Sequence, residues 1–119
     1  MKIGNFIEKA HTTRDTVRHY EELGLLRPAW INNLRDYTAK DLADFQAIKE
    51  MQGLGLALKD IQVIFQVKRD NGCNSVELLS AIILKLNNTK TILQLEQQEI
   101  TAKLANITNL ITGINELKK

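Results

Sequence analysis

From Leu79 to Ile114 the chain repeats a step of four and then three residues without a break: Leu79, Ile83, Leu86, Lys90, Leu93, Gln97, Ile100, Leu104, Ile107, Ile111 and Ile114. A mean step of 3.5 residues holds a narrow stripe on one side of a helix, where a second helix of the same pattern can meet it. A helix lying on a broad globular core carries a wider, less regular stripe. Between Ser75 and Lys119 there is no proline and only one glycine, so nothing in the stretch interrupts a helix. Residues 76–119 are therefore expected to form one dimerisation helix. Its contacts are Leu79, Ile83, Leu86, Leu93, Ile100, Leu104 and Ile107.

The two polar members of the stripe bear on its direction. Lys90 and Gln97 both fall at a-type positions. In a parallel homodimer each a position faces its own copy, which would bring two lysine ammonium groups together in the seam. An antiparallel pair sets a-type against d-type positions and separates them, so an antiparallel coiled coil is expected.

The preceding residues have a different texture. "RDNGCNS", Arg69 to Ser75, is a polar turn, which places a domain over 1–70 and a linker over 71–75. Aromatics make up 5% of the chain, so the core must rest mainly on aliphatic side chains, a composition that favours helices over a β-sandwich. Ile3, Phe6, Ile7 and Ala10 mark a short first helix. Thr12 followed by Asp15 has the form of a capping box and predicts a second helix from about Thr13. That helix runs through Val17, Tyr20 and Leu23 on its inner face and ends at Gly24.

Two short helices and a tight turn make a helix-turn-helix candidate. Pro28 and the Asn32-Asn33 pair predict a turn between two short extended pieces, a small wing. Thr38 with Asp41 predicts a third helix, with Leu42, Phe45, Ile48 and Met51 inward and an end at Gly53 to Gly55. Leu58, Ile61, Ile64 and Phe65 mark a fourth. The expected fold class is mainly α: a winged helix-turn-helix domain followed by a long dimerisation helix.

Net charge is only +2, yet four of the five arginines, Arg14, Arg18, Arg27 and Arg35, fall in one short window. Arginine's planar fork suits phosphate or guanine, so the clustering points to nucleic acid, although a solvated charged face gives the same composition. Cys73 is the only cysteine, which excludes an intrachain disulfide and fits a reducing compartment. No leader opens the chain and no apolar run is long enough for a bilayer, so a cytoplasmic protein without membrane contact is expected. The two histidines fall in the helix-turn-helix, and no nucleophile motif or phosphate-cradling glycine loop accompanies them. No enzymatic activity and no cofactor are expected.

"IGNFIEKAHTTRDTVRHYEELGLLRP" followed by "LRDYTAKDLADFQAIKEMQGLGLALKDI" resembles the MerR family of bacterial transcription regulators. The shared pieces are the Ile-Gly opening, the Thr-Val-Arg-x-Tyr-Glu-x-x-Gly-Leu-Leu-x-Pro run and the Arg-x-Tyr wing motif. The Asp-Leu helix and the Leu-Gly-x-x-Leu-x-x-Ile segment follow in order. The match spans about residues 3 to 65, and the long helix falls where the family places its dimerisation helix.

The resemblance implies a homodimer that binds a promoter palindrome in double-stranded DNA. It also implies distortion of the DNA so that RNA polymerase can use the promoter, a switched form of indirect readout. By the same resemblance Arg18 and Tyr20 contact DNA, while Arg14 and Thr16 reach base edges or phosphates. Arg35 and Tyr37 belong to the wing, and Lys59 opens the fourth helix near a phosphate. His19 stands where the family has tyrosine and can still bond a phosphate, with some dependence on pH. Leu34 replaces a wing aromatic, and Trp30 is expected to pack the wing down in its stead. Read without the family, Arg18 equally fits an ion pair with Glu21 or Glu22, Tyr20 a packing role, and Lys59 a solvated lysine.

Metal sensors of the family place a cysteine at the start of the long helix and another in a loop beyond it. Cys73 matches the first. With no second cysteine and no histidine nearby, a closed zinc or copper site is not expected. Cys73 also sits in a polar turn just before a helix N-terminus, a location that favours a thiolate. Two readings remain: a thiol responsive to oxidants or electrophiles, and an inert linker cysteine. A rival to the whole assignment is a coiled-coil interaction module without specific DNA binding, which explains the heptads but not the arginine cluster or the wing.

Overall fold

A computed structural model describes all 119 residues. The elements in order are α1 (Ile3–Ala10), α2 (Arg14–Glu22), β1 (Ala29–Ile31), β2 (Leu34–Asp36), α3 (Ala39–Gly53), α4 (Leu58–Asn71) and α5 (Val76–Leu117). They divide into two compact units, Met1–Ile83 and Leu84–Lys119. The first unit thus runs two turns into α5, past the boundary at residue 70 read from the turn. Leu78 is buried with the α1–α4 core and Ile82 packs against it, so the start of the long helix belongs to this unit.

Each junction follows from local chemistry. His11 takes a left-handed conformation after α1, φ 52°, and turns the chain into α2. The cap of α2 is Thr13 and not Thr12. Its hydroxyl oxygen accepts from the Thr16 N–H at 3.2 Å, so the expected Thr12–Asp15 box is displaced by one residue. Gly24, at φ 74°, ends α2 in a Schellman arrangement. The Leu25 N–H donates to the Tyr20 carbonyl at 2.9 Å, and the Gly24 N–H donates to that of Glu21 at 3.0 Å.

The wing is a two-stranded antiparallel hairpin in which Trp30 faces Arg35 and Ile31 faces Leu34. Asn32 and Asn33 form its two-residue tip, with φ of 50° and 64°. Positive φ at both central positions is the condition for a turn whose twist matches the strands, and asparagine tolerates it.

Thr38 caps α3 with a complete box. Its N–H and hydroxyl both donate to Asp41 Oδ2, at 2.8 and 3.2 Å, and the Asp41 N–H returns to the Thr38 oxygen. Thr38→Ala is expected to cost about 1 kcal/mol of stability, read as a lower urea midpoint with an unchanged slope.

The core of the first unit is Phe6, Val17, Ile48 and Ile61, all fully buried, with four rings at its centre. Phe6 stacks on Tyr37 at 4.6 Å between centroids and meets Phe45 edge-on at 5.9 Å, while Tyr20 lies 5.5 Å from Phe45. The sparse aromatics of the sequence are thus concentrated where one helix-turn-helix, its wing and α3 meet.

The second unit is helix alone. Every residue from 91 to 119 is exposed, including Leu93, Ile100, Leu104 and Ile107. Threonines in it are accommodated by back-bonding: Thr101 donates to the Gln97 carbonyl and Thr108 to that of Leu104. A single helix that leaves its apolar stripe in water gains nothing from packing, so its stability in solution requires a partner along that stripe.

Candidate nucleic-acid interface

Helix α2 is exposed along one side and buried along the other. Val17 and Tyr20 face the core, whereas Arg14, Arg18 and His19 are exposed and Thr16 is half-buried beside its cap. Arg14 and Arg18 are four residues apart and share a face. The Thr16 hydroxyl lies 3.0 Å from that of Thr13, so it is already engaged in the cap.

The wing is fastened to this helix through one carboxylate oxygen. Glu21 Oε1 receives the Tyr37 hydroxyl at 2.8 Å and pairs with Arg35 Nε at 2.9 Å. Arg18 and Arg35 line one shallow cleft with Glu21 and Glu22, which brings the two arginines of the motif together. Arg18 itself forms no ion pair: Glu21 is used by the wing, and Glu22, four residues on, lines the same cleft without pairing to it. Arg35 also lies 4.6 Å over the ring of Trp30. Its guanidinium is therefore held on two sides, and its remaining donors are available to an anion.

Tyr20 and Tyr37, which the resemblance assigns to DNA, are almost wholly buried, at 2% and 1% exposure. Tyr20 donates to Gln52 Oε1 and Tyr37 to Glu21, which satisfies both hydroxyls inside the domain. Burial raises the pKa of both phenols, and for Tyr37 the bond to Glu21 raises it further, so each remains a neutral donor. Trp30 does not pack the wing down. It is 61% exposed, and with Ile31 and Leu34 it gives the hairpin an apolar outer surface.

Lys59 is exposed on the first turn of α4, and no contact joins it to the Arg18–Arg35 group. Glu21, invisible as a site residue in the sequence, is the side chain that organises the others. Tyr37→Phe should lower stability by about 1 kcal/mol in thermal unfolding yet change duplex affinity less than about twofold. A large loss of affinity would return Tyr37 to the interface.

Cys73 is a free, exposed thiol in the turn between α4 and α5. Ser75 caps α5, its hydroxyl accepting from the Leu78 N–H at 3.1 Å. No group of three His, Cys, Asp or Glu side chains gathers anywhere in the chain to hold a metal ion. Nor is any helix long and apolar enough to cross a membrane.

A reading helix with free arginines, a wing bolted to it and a long unpartnered stripe together define a winged helix-turn-helix regulator. The family model described as "MerR HTH family regulatory protein" matches residues 1–68, and the chain belongs to that family. It is a transcriptional regulator, and the pure interaction-module alternative leaves those residues unexplained. The transcriptional regulator HmrR of Rhizobium leguminosarum bv. viciae is 27% identical over 118 residues, 98% of this chain and 83% of that protein.

Among solved structures, a MerR family regulator from Listeria monocytogenes has a TM-score of 0.68 at 27% identity, covering 99% of this chain and 94% of its own. PbrR691 from Ralstonia metallidurans CH34, solved in complex with lead(II), has a TM-score of 0.57 at 27% identity, with 85% and 82% covered. The lead belongs to that protein. Here Cys73 has no companion His, Cys, Asp or Glu cluster within its own chain.

Proposed function

We propose that the chain acts as an antiparallel coiled-coil homodimer on a palindromic promoter, alters the path of the DNA and so controls its use by RNA polymerase. The observation that carries this reading is the Arg18–Glu21–Arg35 arrangement. One carboxylate ties the wing to the reading helix, so the two can grip successive stretches of backbone as a unit. Arg14, Arg18, His19 and Arg35 are assigned to the contact, with Thr16 and Lys59 as flanking members. The exposed α5 stripe supports the pairing of two such domains, and a two-fold dimer matches a two-fold operator.

Cys73 is assigned the response to oxidants or electrophiles, because it is exposed in the turn leading into the long helix, where a bulkier or charged sulfur would alter the chain's course. The test is binding and run-off transcription on the upstream intergenic DNA, with and without peroxide, for the native protein and Cys73→Ser. The expected result is specific binding that weakens steeply with salt, circular-permutation mobility that reports a bend, and a peroxide response lost in Cys73→Ser. Salt-insensitive or sequence-indifferent binding would overturn the promoter reading. A response that survives Cys73→Ser would remove the thiol from it.

A further inference from the structure

The exit of α2, the start of α3 and the end of α4 enclose a cleft of about 450 Å³ in the first unit, away from the Arg18–Arg35 group. Arg27, Lys40, Lys68 and Arg69 line it together with Asp41 and Asp44. Both carboxylates are already committed. Asp41 Oδ2 closes the Thr38 cap, and Asp44 Oδ1 pairs with Lys68 at 2.8 Å. Four cations against two carboxylates leave an excess of two positive charges.

Lys68 is the member paired with Asp44, so the two arginines and Lys40 form no ion pair, with Asp41 the one other carboxylate in the lining. Arg69 donates to the Gly24 carbonyl, a neutral acceptor. Arg27 and Lys40 have no hydrogen bond or ion pair. Both guanidiniums reach Gly24: Arg27 Nη2 lies 3.4 Å from where a Cβ on Gly24 would stand, and Arg69 bonds the carbonyl of the same residue. Burial, and then the charge of Arg27, lower the pKa of Arg69 from its ordinary value, and the nearby carboxylates of Asp44 and Asp70 offset part of that shift.

We propose that this cleft binds a small anionic ligand bearing a phosphate, or paired carboxylates of similar span, between the Arg27 and Arg69 forks with Lys40 as a third donor. Planar guanidiniums suit bidentate oxyanions, and the volume lies within the range of small-molecule sites. A concave cleft fits a discrete anion better than the continuous convex backbone of a duplex. Cys73 stands on the rim, and it also lines an adjoining cavity of about 240 Å³ that reaches Leu78 and Ile82 on α5. A ligand seated here would therefore touch the turn between α4 and α5 and shield the thiol.

This shielding supplies the assay. Alkylation of Cys73 by iodoacetamide, a neutral reagent, is followed in the full-length protein as pyrophosphate is added at constant ionic strength. Pyrophosphate should slow the reaction saturably, and Arg27→Gln should raise the half-protecting concentration about tenfold, the loss of one charge-assisted pair. Arg27 makes no internal bond, so the variant keeps its fold, which a thermal melt verifies. Protection that does not saturate, or that Arg27→Gln leaves unchanged, overturns the site. Protection by duplex DNA but not pyrophosphate, with Arg27→Gln weakening duplex binding, also overturns it and makes the cleft a backbone contact. Specific DNA binding by the native protein is scored separately, so either proposal can fail alone.

Discussion

Leu93→Asp is expected to turn the proposed homodimer into monomers. Leu93 lies near the middle of the stripe and is 48% exposed in the single chain, so roughly half of its side chain remains to be covered by a partner. The substitution removes that burial and sets a carboxylate in an apolar seam, once from each chain. At about 3 kcal/mol per chain the loss is about 6 kcal/mol, or roughly ten-thousandfold in dissociation constant. Sedimentation equilibrium reads it directly. Leu95→Asp is the control, because Leu95 is as exposed as Leu93 but lies off the stripe, and it should remain dimeric. If both variants stay dimeric, the seam is elsewhere.

Phe6→Ala is expected to have the second large effect, on the DNA-binding unit rather than on the coil. Phe6 is fully buried and holds Tyr37 by stacking and Phe45 by an edge contact. Deleting the ring should cost about 3–5 kcal/mol, a large part of the roughly 5–15 kcal/mol that holds a domain together. Since Tyr37 positions Glu21 and Glu21 positions Arg35, affinity for DNA should fall with stability. A melt followed by near-ultraviolet circular dichroism, which senses the packed rings, should lose its upper transition well before the helical signal of α5 disappears.

The parts of this protein legible in the sequence are those governed by local period. The unbroken α5 helix, the Thr38–Asp41 box, the Gly24 stop and the Asn32-Asn33 turn each depend on neighbours a few residues apart, and each stands as its pattern indicates. The Thr12–Thr13 pair shows the limit of such reasoning, since two adjacent hydroxyls offer two caps and only the chain's path out of α1 selects one. Tyr20 was legible in two ways: its spacing from Val17 puts it on the inner face, where it is buried, while the family motif assigns it to DNA.

The remaining errors are long-range. Glu21 meets Tyr37 sixteen residues away and Arg35 in the wing, and no local pattern announces either bond. The wing motif suggests that Trp30 packs the wing down in place of the aromatic that Leu34 replaces; its ring is instead exposed and lies against the guanidinium of its cross-strand neighbour Arg35.

The uninterrupted run of α5 has a consequence for how this gene can change. Each residue of a helix advances about 1.5 Å and rotates about 100°, so inserting one between Val76 and Ile114 would swing every later stripe residue out of the seam. Inserting seven restores the phase to within about 20°. In the proposed antiparallel pair both chains carry any insertion, so the mismatch is met from each end. Lineages of this protein should therefore accumulate substitutions freely on the outer faces of α5 while its length stays fixed, or changes only in whole heptads.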